Sequence, residues 1–414
     1  MSCDALIIGG GPAGATAATL LAGAGWSVVV VERKAFPRPK VCGEYLSATN
    51  GPLFAALGLA EAFAELAGPL VRQTALFSGQ HSVLAPLPLL RQGEDDRGRA
   101  LSRQRLDALL LDRAQAVGAQ ILQPMRCVQL SSEGGRHLCR VESLATRRTI
   151  EIEARTVIAA HGSWDLGSLP TQPAARHSHP HDWLAFKAHF HETGLPAGLM
   201  PLLSFADGYG GMVHCEAGAA SLSCCIRRSR LETLARSGGQ SAGEAVLSHI
   251  LQSLPVLGPV LDRARINGTW LSAGPIQPGI RGGYQHGIFA VGNVAGEAHP
   301  VVAEGISMAM QSAWLLTRLL IDHQDQLDSP AARQQVGKVY SAAWRRAFAP
   351  RIRAASAIAQ WASRPRLVAA TLPLLRAMPS LLTLGARLAG KAKLILNDPL
   401  ELETAASPKG LPTA

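Results

Sequence analysis

The chain has 414 residues, 47% of them hydrophobic and 17% charged, which is enough apolar material for two domains and excludes a disordered or fibrous protein. Its formal net charge of +10 favours an acidic partner such as an anionic membrane, an acidic carrier protein or a phosphorylated cofactor. Nucleic acid is not expected, because no basic run is interleaved with aromatic residues. Seven cysteines without framework spacing indicate a reducing cytoplasm, and no apolar stretch reaches the length of a transmembrane helix.

The first glycine-rich segment has the spacing G-x-G-x-x-G. It follows a short apolar strand predicted over residues 4–8 and leads into a small-residue helix predicted over 15–24. Gly9 permits a tight turn, Gly11 lets a pyrophosphate approach the backbone, and Gly14 lets the helix pack closely on the strand. The phosphates would lie at the positive N-terminus of the helix.

A second strand predicted over 26–31 completes a βαβ unit and ends at Glu32, where a carboxylate can accept both ribose hydroxyls of an adenosine. Strand, glycine motif, helix, strand and acidic residue in this order predict a bound dinucleotide, and they leave NAD and FAD equally open. The contacts expected in this unit are Gly9, Gly11, Pro12, Ala13, Gly14, Glu32 and Arg33.

The middle of the chain has strand character at about 71–90 and 183–227, with turns at Asp207-Gly208 and Ala217-Gly218. This spacing predicts an antiparallel sheet. Its strands are expected over 183–191, 202–205, 209–216 and 221–227.

Two clusters in this region suggest metal or disulfide chemistry, and we interpret both as structural. His177, His179 and His181 lie in a predicted loop with no acidic or cysteine ligand nearby, so no metal site is expected. Cys224 and Cys225 would point to opposite faces of a strand, which favours packing over a disulfide.

A second signature begins near residue 290. A strand over 287–291 is followed by Gly292-Asn293-Val294-Ala295-Gly296-Glu297-Ala298-His299-Pro300-Val301-Val302-Ala303-Glu304-Gly305-Ile306, and an apolar helix is predicted from Ser307 to about Leu320. This order predicts another turn and another helix N-terminus beside the cofactor, which would stabilise negative charge there.

The second signature resembles the G-D-A-A-G-x-x-x-P-x-x-x-E-G-I pattern of the geranylgeranyl reductase and aromatic hydroxylase superfamily of FAD enzymes. The helical stretch 101–110 resembles the family's R-x-x-L-D-x-x-L helix, with Arg103 in register. The segment 154–164 resembles its strand ending in A-D-G-x-x-S, with His161 in place of the aspartate. The loop 39–47 resembles the K-x-C-G-E/G segment of geranylgeranyl-reductase-like enzymes.

The resemblance implies FAD as the cofactor. In the family the acidic residue of the second signature holds the ribityl chain, where this sequence has Asn293, and the proline lies beside the isoalloxazine. The arginine of the helical motif approaches FAD, and the cysteine loop borders the active site. The FAD contacts implied in this way are Cys42, Gly43, Arg103, Gly292, Asn293, Pro300, Glu304, Gly305 and Ile306.

The expected fold is α/β, with a Rossmann-like FAD-binding domain containing a parallel sheet, an antiparallel substrate sheet and a C-terminal helical region. The FAD-binding domain is predicted over 1–70, 98–170 and 271–328, the substrate domain over 71–97 and 171–270, and the helical cap over 329–414. The basic, partly apolar C-terminal region is interpreted as a cap on the sheet. Its alternative is an amphipathic surface that meets a membrane or an acidic carrier protein.

The predicted activity is that of a monooxygenase-type FAD enzyme acting on an apolar or aromatic metabolite, with Cys42, His299 and Pro300 as candidate catalytic residues. No second G-x-G-x-x-G unit is present, so the reductant is expected to be either transiently bound NAD(P)H or a separate protein. The alternative is a geranylgeranyl-reductase-like reductase or dehydrogenase of C=C bonds. A flavin-dependent halogenase is less favoured, since neither a W-x-W-x-I-P segment nor the halogenase lysine motif is found, and a non-enzymatic flavin-binding protein is the last alternative.

Overall fold

The computed structural model describes residues 1–90, 96–173, 177–236 and 239–391. The strands are β1 Ser2–Ile8, β2 Val28–Val31, β3 Tyr45–Leu46, β4 Gln73–Ser78, β5 His81–Pro86, β6 Arg99–Ala100, β7 Gln120–Leu122, β8 Met125–Glu133, β9 Arg136–Ser143, β10 Thr149–Ala159, β11 Trp183–His191, β12 Leu199–Phe205, β13 Gly208–His214, β14 Ala220–Arg227, β15 Arg265–Ile276, β16 Gly279–Ile280, β17 Tyr284–Gln285, β18 Ile288–Ala290 and β19 Gly296–Glu297. The α-helices are α1 Pro12–Gly23, α2 Gly51–Ala56, α3 Ala60–Leu66, α4 Arg103–Ala116, α5 Arg228–Ala235, α6 Ala242–Ser253, α7 Gly258–Leu261, α8 Gly305–Asp322, α9 Pro330–Ala362, α10 Pro365–Ala377 and α11 Ser380–Leu388.

The first sheet has the order β17-β18-β10-β1-β2-β7, with β9 and β8 added antiparallel at the start of β10. Strand β1 runs parallel to both β10 and β2, and β10 runs parallel to β18. Helix α1 connects β1 to β2 and packs between α4 and α8. The all-apolar run Val28–Val31 is completely buried, as expected for a strand covered on both faces. The predicted βαβ unit is therefore present.

The second sheet has the order β15-β11-β14-β13-β12-β4-β5, and it is antiparallel except where β12 pairs with β4. Strand β11 has the predicted bounds, whereas β12 starts at Leu199, three residues earlier than expected, and β13 ends at His214. One face of this sheet packs its aromatic and aliphatic side chains against α6. The other face is turned towards the first sheet. The fold class predicted from the sequence is confirmed.

The C-terminal helices pack on both sheets. Helix α9 buries Trp344 and Phe348 in the core of the first sheet, and its last turns place Ala359 and Ala362 against Trp183 of the second. Helices α10 and α11 contact β4 of the second sheet, and α11 also lies along β5. In the described part of the chain, no single helix is both long and apolar enough to cross a membrane.

Candidate functional site

A cavity of about 840 Å³ lies between the two sheets. Its walls come from the first glycine loop, the Cys42 loop, the second signature, the inner face of the second sheet and helices α9 to α11. The predicted contacts that line it are Gly9, Gly11, Pro12, Ala13, Glu32, Arg33, Cys42, Gly43, Arg103, Gly292, Asn293, Pro300, Gly305 and Ile306. Three other predicted residues of the described chain, Gly14, His299 and Glu304, lie behind its walls.

The glycine loop leaves the N-terminus of α1 open to this cavity. The helix begins after Gly11 without a side-chain cap, so its first N–H groups have no side-chain acceptor. Gly9 has φ +108°, and a Cβ on Gly14 would lie 1.8 Å from the Gly9 carbonyl oxygen, so both positions require glycine. A Cβ on Gly11 would meet no atom closer than 3.8 Å, because this residue faces open space. An uncapped helix N-terminus beside open space fits a pyrophosphate.

Glu32 is buried at the carboxyl end of β2. Its Oε2 accepts a hydrogen bond from the Gly10 N–H at 2.8 Å, and its Oε1 accepts one from the Lys34 N–H, also at 2.8 Å. These bonds fix the carboxylate beside the glycine loop and leave lone pairs on both oxygens for hydroxyl donors. The arrangement fits the ribose of an adenosine.

Helix α8 provides a second uncapped N-terminus at the cavity. Gly305 and Ile306 line the wall, and a Cβ on Gly305 would meet no atom within 4 Å. The helix begins two residues earlier than expected. Glu304 precedes it but turns away, because its buried carboxylate pairs with Lys391 at 3.1 Å and accepts from Ser47 at 3.2 Å. Glu304 thus connects α8 to the end of the described chain.

Several cations surround the dinucleotide end. Arg103 lines the cavity with its guanidinium held in two hydrogen bonds to Asp107, at 2.6 and 2.7 Å. Arg33 pairs with Asp165 at 2.6 Å. Lys40 also lines the cavity, and burial, together with the positive charge of Arg103, lowers its pKa to about 8. The sequence reasoning did not select Lys40, although it is the lysine of the K-x-C-G-E segment.

The Cys42 loop ends in a buried polar cluster that joins this loop to the second sheet. Glu44 has a left-handed backbone with φ 63° and contacts the Lys187 ammonium and, at 2.7 Å, Nε2 of His189. Burial alone would raise its pKa, but the hydrogen bond from His189 and the charge of Lys187 lower it to about 2. Cys215 also lies 3.4 Å from Glu44.

Glu44, His189 and Cys215 bring their potential ligand atoms within 4.8 Å of one another. The Lys187 ammonium already balances the Glu44 charge, so this cluster needs no cation for electroneutrality. Sequence reasoning missed it because strand β11 meets the Cys42 loop only in the folded chain.

His299 lies in the core between Tyr209 and Trp183. Its Nδ1 is 2.7 Å from the Tyr209 hydroxyl, and its ring meets Trp183 edge-on at 5.5 Å between centroids. Burial lowers the pKa of His299 to about 4. Tyr209 itself lines the cavity, so His299 reaches the site through Tyr209.

Glu297 is a further residue that sequence reasoning missed. It lines the cavity, is 3% exposed, and its Oε2 has no hydrogen-bond partner within the described structure. Burial raises its pKa, although contacts with Ser163 and Arg281 act in the opposite direction. Glu297 lies inside the second signature, and this position in the sequence could have identified it as a site residue.

Comparison with known proteins agrees with this geometry. The menaquinone reductase of Mycobacterium tuberculosis is 31% identical over 162 residues, which are 39% of this chain and 38% of that protein, so the match spans less than half of the relative. The myxobacterial chondrochloren halogenase CndH superposes with a TM-score of 0.74 at 19% identity, covering 96% of this chain and 92% of that one. PqsL of Pseudomonas aeruginosa, described as a probable FAD-dependent monooxygenase, has a TM-score of 0.68 at 17% identity, covering 90% of this chain and 100% of its own.

The profile of the family described as FAD binding domain matches residues 2–329, which include both glycine-rich signatures and both sheets. The chain therefore belongs to the FAD binding domain family.

Proposed function

We propose that this enzyme is of the monooxygenase type and acts on an apolar or aromatic metabolite. The observation that supports this proposal is the continuity of the cavity, in which the dinucleotide end and the inner face of the second sheet belong to one space of about 840 Å³. A flavin held by the two helix N-termini would therefore face a chamber in which a second molecule can bind.

The chamber end is mainly apolar. Its side chains from the second sheet and from α9 include Ala75, Phe186, Leu202, Met212, Ile358 and Trp361. Its polar side chains from the second sheet include Thr74, Tyr209 and Ser223. Such a wall favours an apolar or aromatic ring with one or two polar substituents. The cytoplasm remains the expected compartment.

When bound, FAD supplies electron transfer from NAD(P)H and the reaction of the reduced ring with O2. The chain's own contribution is electrostatic and geometric. The α8 N-terminus at Gly305 stabilises negative charge, Pro300 shapes the wall, and Lys40 adds a cation whose pKa of about 8 lies near neutrality.

The test is anaerobic reduction of the holoenzyme by NADH or NADPH, followed by mixing with air. A monooxygenase-type enzyme should be reoxidised rapidly by O2, and without substrate it should release H2O2. A panel of phenols and alkylphenols should then decrease H2O2 release and incorporate one atom from 18O2. Slow reoxidation by air, with no oxygen incorporation for any member, would contradict the proposal.

The second candidate is a reductase or dehydrogenase of C=C bonds. It is supported by the 31% identity with the menaquinone reductase, which is restricted to part of either chain. In the same experiment, this activity would leave the reduced enzyme slow towards O2 and rapidly reoxidised by menadione or an isoprenoid alkene. A halogenase would instead require chloride or bromide for product formation. It is supported by the fold likeness and by a partial sequence match, 35% identity with the tryptophan 2-halogenase of Chondromyces crocatus over 136 residues, which are 33% of this chain and 25% of that protein.

A further inference from the structure

Helix α10 has two apolar faces. Val368, Leu372 and Leu375 are buried against the second sheet, at the i, i+4 and i+7 positions of one stripe. Leu367 and Leu374, seven residues apart, lie on a neighbouring stripe and are 46% and 53% exposed. A helix that only capped the sheet would place polar residues there.

Helix α11 continues this exposed apolar surface. Met378, just before it, is 49% exposed, and Leu384 and Leu388, one turn apart on α11, are 49% and 62% exposed. Thr383 donates a hydrogen bond to the Pro86 carbonyl at 2.7 Å, which places α11 along the edge strand β5, where Leu84 is 46% exposed. We call Leu84, Leu367, Leu374, Met378, Leu384 and Leu388 the C-terminal apolar face.

The concentration of these side chains is unusual for a surface. Twelve large hydrophobic residues are exposed in the described chain, and five of them lie between Leu367 and Leu388. The two helices meet at an angle of 113° across a short break, so they form a bent pair rather than one rod. Grouped exposed apolar side chains mark interaction sites on soluble folds.

The charge of this region is one-sided. Residues 329–391 contain nine arginines and two lysines but no aspartate or glutamate, a local charge of +11 against +10 for the whole chain. On α10, on α11 and just before α10, the exposed members are Arg364, Arg366, Arg376 and Arg387. Arginines around exposed leucines are the pattern of a helix that lies in the interface of an anionic bilayer.

The inner side of the same two helices forms part of the cavity wall. Leu375, Leu381, Leu382, Gly385, Ala386 and Ala389 line it. One thin helical layer therefore separates the chamber from the C-terminal apolar face. An amphiphilic molecule that leaves a bilayer at this face has only this layer to pass before it meets the chamber.

We propose that the C-terminal apolar face docks on an anionic membrane surface and that the enzyme takes a lipid-like substrate from that membrane. The proposal of membrane docking depends only on the C-terminal apolar face and its arginines. The substrate class rests on the function proposed above. An acidic carrier protein would match the arginines but would leave most of the leucines without an apolar partner. Residues 392–414, which the structure does not describe, are the other candidate occupant.

The experiment is sedimentation of the FAD-loaded protein with phosphatidylcholine vesicles, with and without one quarter phosphatidylglycerol. The wild-type protein should bind the anionic vesicles and lose most of that binding in high salt. The variant Leu374→Glu/Leu384→Glu/Leu388→Glu should lower the apparent affinity at least about tenfold. The matched control Leu166→Glu, which changes a leucine that is 55% exposed outside this face, should bind like the wild type.

A wild-type protein that binds neither vesicle type would overturn the proposal. A triple variant that binds vesicles like the wild type would also overturn it. Vesicle binding that appears only after deletion of 392–414 would overturn it as well, because that segment would then be the occupant of the face. Binding of an acidic carrier protein without vesicle binding would assign the face to a protein partner. FAD content and NAD(P)H oxidation in detergent are measured on the same samples, so a failure of the proposed function is seen separately.

Discussion

The Tyr209 hydroxyl lies 2.7 Å from Nδ1 of His299, in a buried contact that joins the second sheet to the turn before α8. Tyr209 lines the cavity and His299 does not. His299 therefore meets the cavity only through Tyr209, and its catalytic role stays a prediction. Because burial lowers its pKa to about 4, the imidazole is neutral at physiological pH.

Replacing His299 by glutamine should flatten the dependence of stability on pH. The unfolded histidine titrates near 6.5, so between about 6.5 and 4 the unfolded chain binds a proton that the folded chain does not. The free energy of unfolding of the wild type should therefore fall as pH falls through this window. Urea unfolding at several pH values measures how the free energy of unfolding changes with pH. For His299→Gln the slope of this dependence should be smaller by about one proton. His177→Gln, at an exposed histidine, is the control, and equal slopes for His299→Gln and wild type would disprove this account.

The candidate catalytic roles are tested by turnover at constant FAD content. Cys42→Ala and His299→Ala should each retain FAD, because neither side chain holds the α1 or α8 N-terminus. If Cys42 contacts the reacting atoms, its alanine variant should lose well over about tenfold in kcat, a loss of more than about 1.4 kcal/mol. Cys42→Ser distinguishes loss of the thiol from loss of volume. Changes within about threefold for both alanine variants would assign the chemistry to other cavity residues.

Glu32→Ala should weaken FAD binding. The carboxylate is already held by two backbone N–H groups, so its remaining lone pairs are preorganised for hydroxyl donors. A charged hydrogen bond contributes about 1.5–3 kcal/mol, which predicts a rise in Kd of at least about tenfold in a fluorescence titration. Glu133→Ala, at an exposed glutamate, serves as the control. An unchanged Kd for Glu32→Ala would refute the ribose assignment.

Lys187→Met should destabilise the protein strongly. It leaves the Glu44 carboxylate buried with one cation fewer, and breaking a buried pair in this way costs about 3–5 kcal/mol. The double variant Lys187→Met/Glu44→Gln removes both charges and should recover much of that loss. Thermal unfolding of the single and double variants measures this coupling, and strictly additive losses would show that the pair is not coupled.

Local patterns predicted much of the fold and the dinucleotide end of the site. The spacing of the turns predicted β11 with its observed bounds, and the glycine spacing predicted the loop at Gly9 to Gly14 because those positions are dictated by backbone geometry. The assignment of site residues themselves, including His299 and Glu304, stays a prediction. Both residues are sequence neighbours of residues that line the cavity, but their own side chains are buried in the core.

The residues that were missed depend on long-range pairing. Glu44 and Lys187 are 143 positions apart, and no short window of sequence contains both. The raised pKa of Glu297 likewise arises from burial beneath side chains of distant segments. Spacing rules describe one element at a time, so they do not predict contacts between a loop and a strand that are distant in the sequence.

The ion pair between Glu304 and Lys391 links the start of α8 to a segment that is synthesised later. A chain is synthesised from its N-terminus, so both glycine-rich signatures and both sheets exist before α10, α11 and Lys391 are made. Until then, the side of the cavity formed by Leu381, Ala386 and Ala389 has no wall. The last helices therefore complete the wall of the cavity after the rest of its lining has been synthesised.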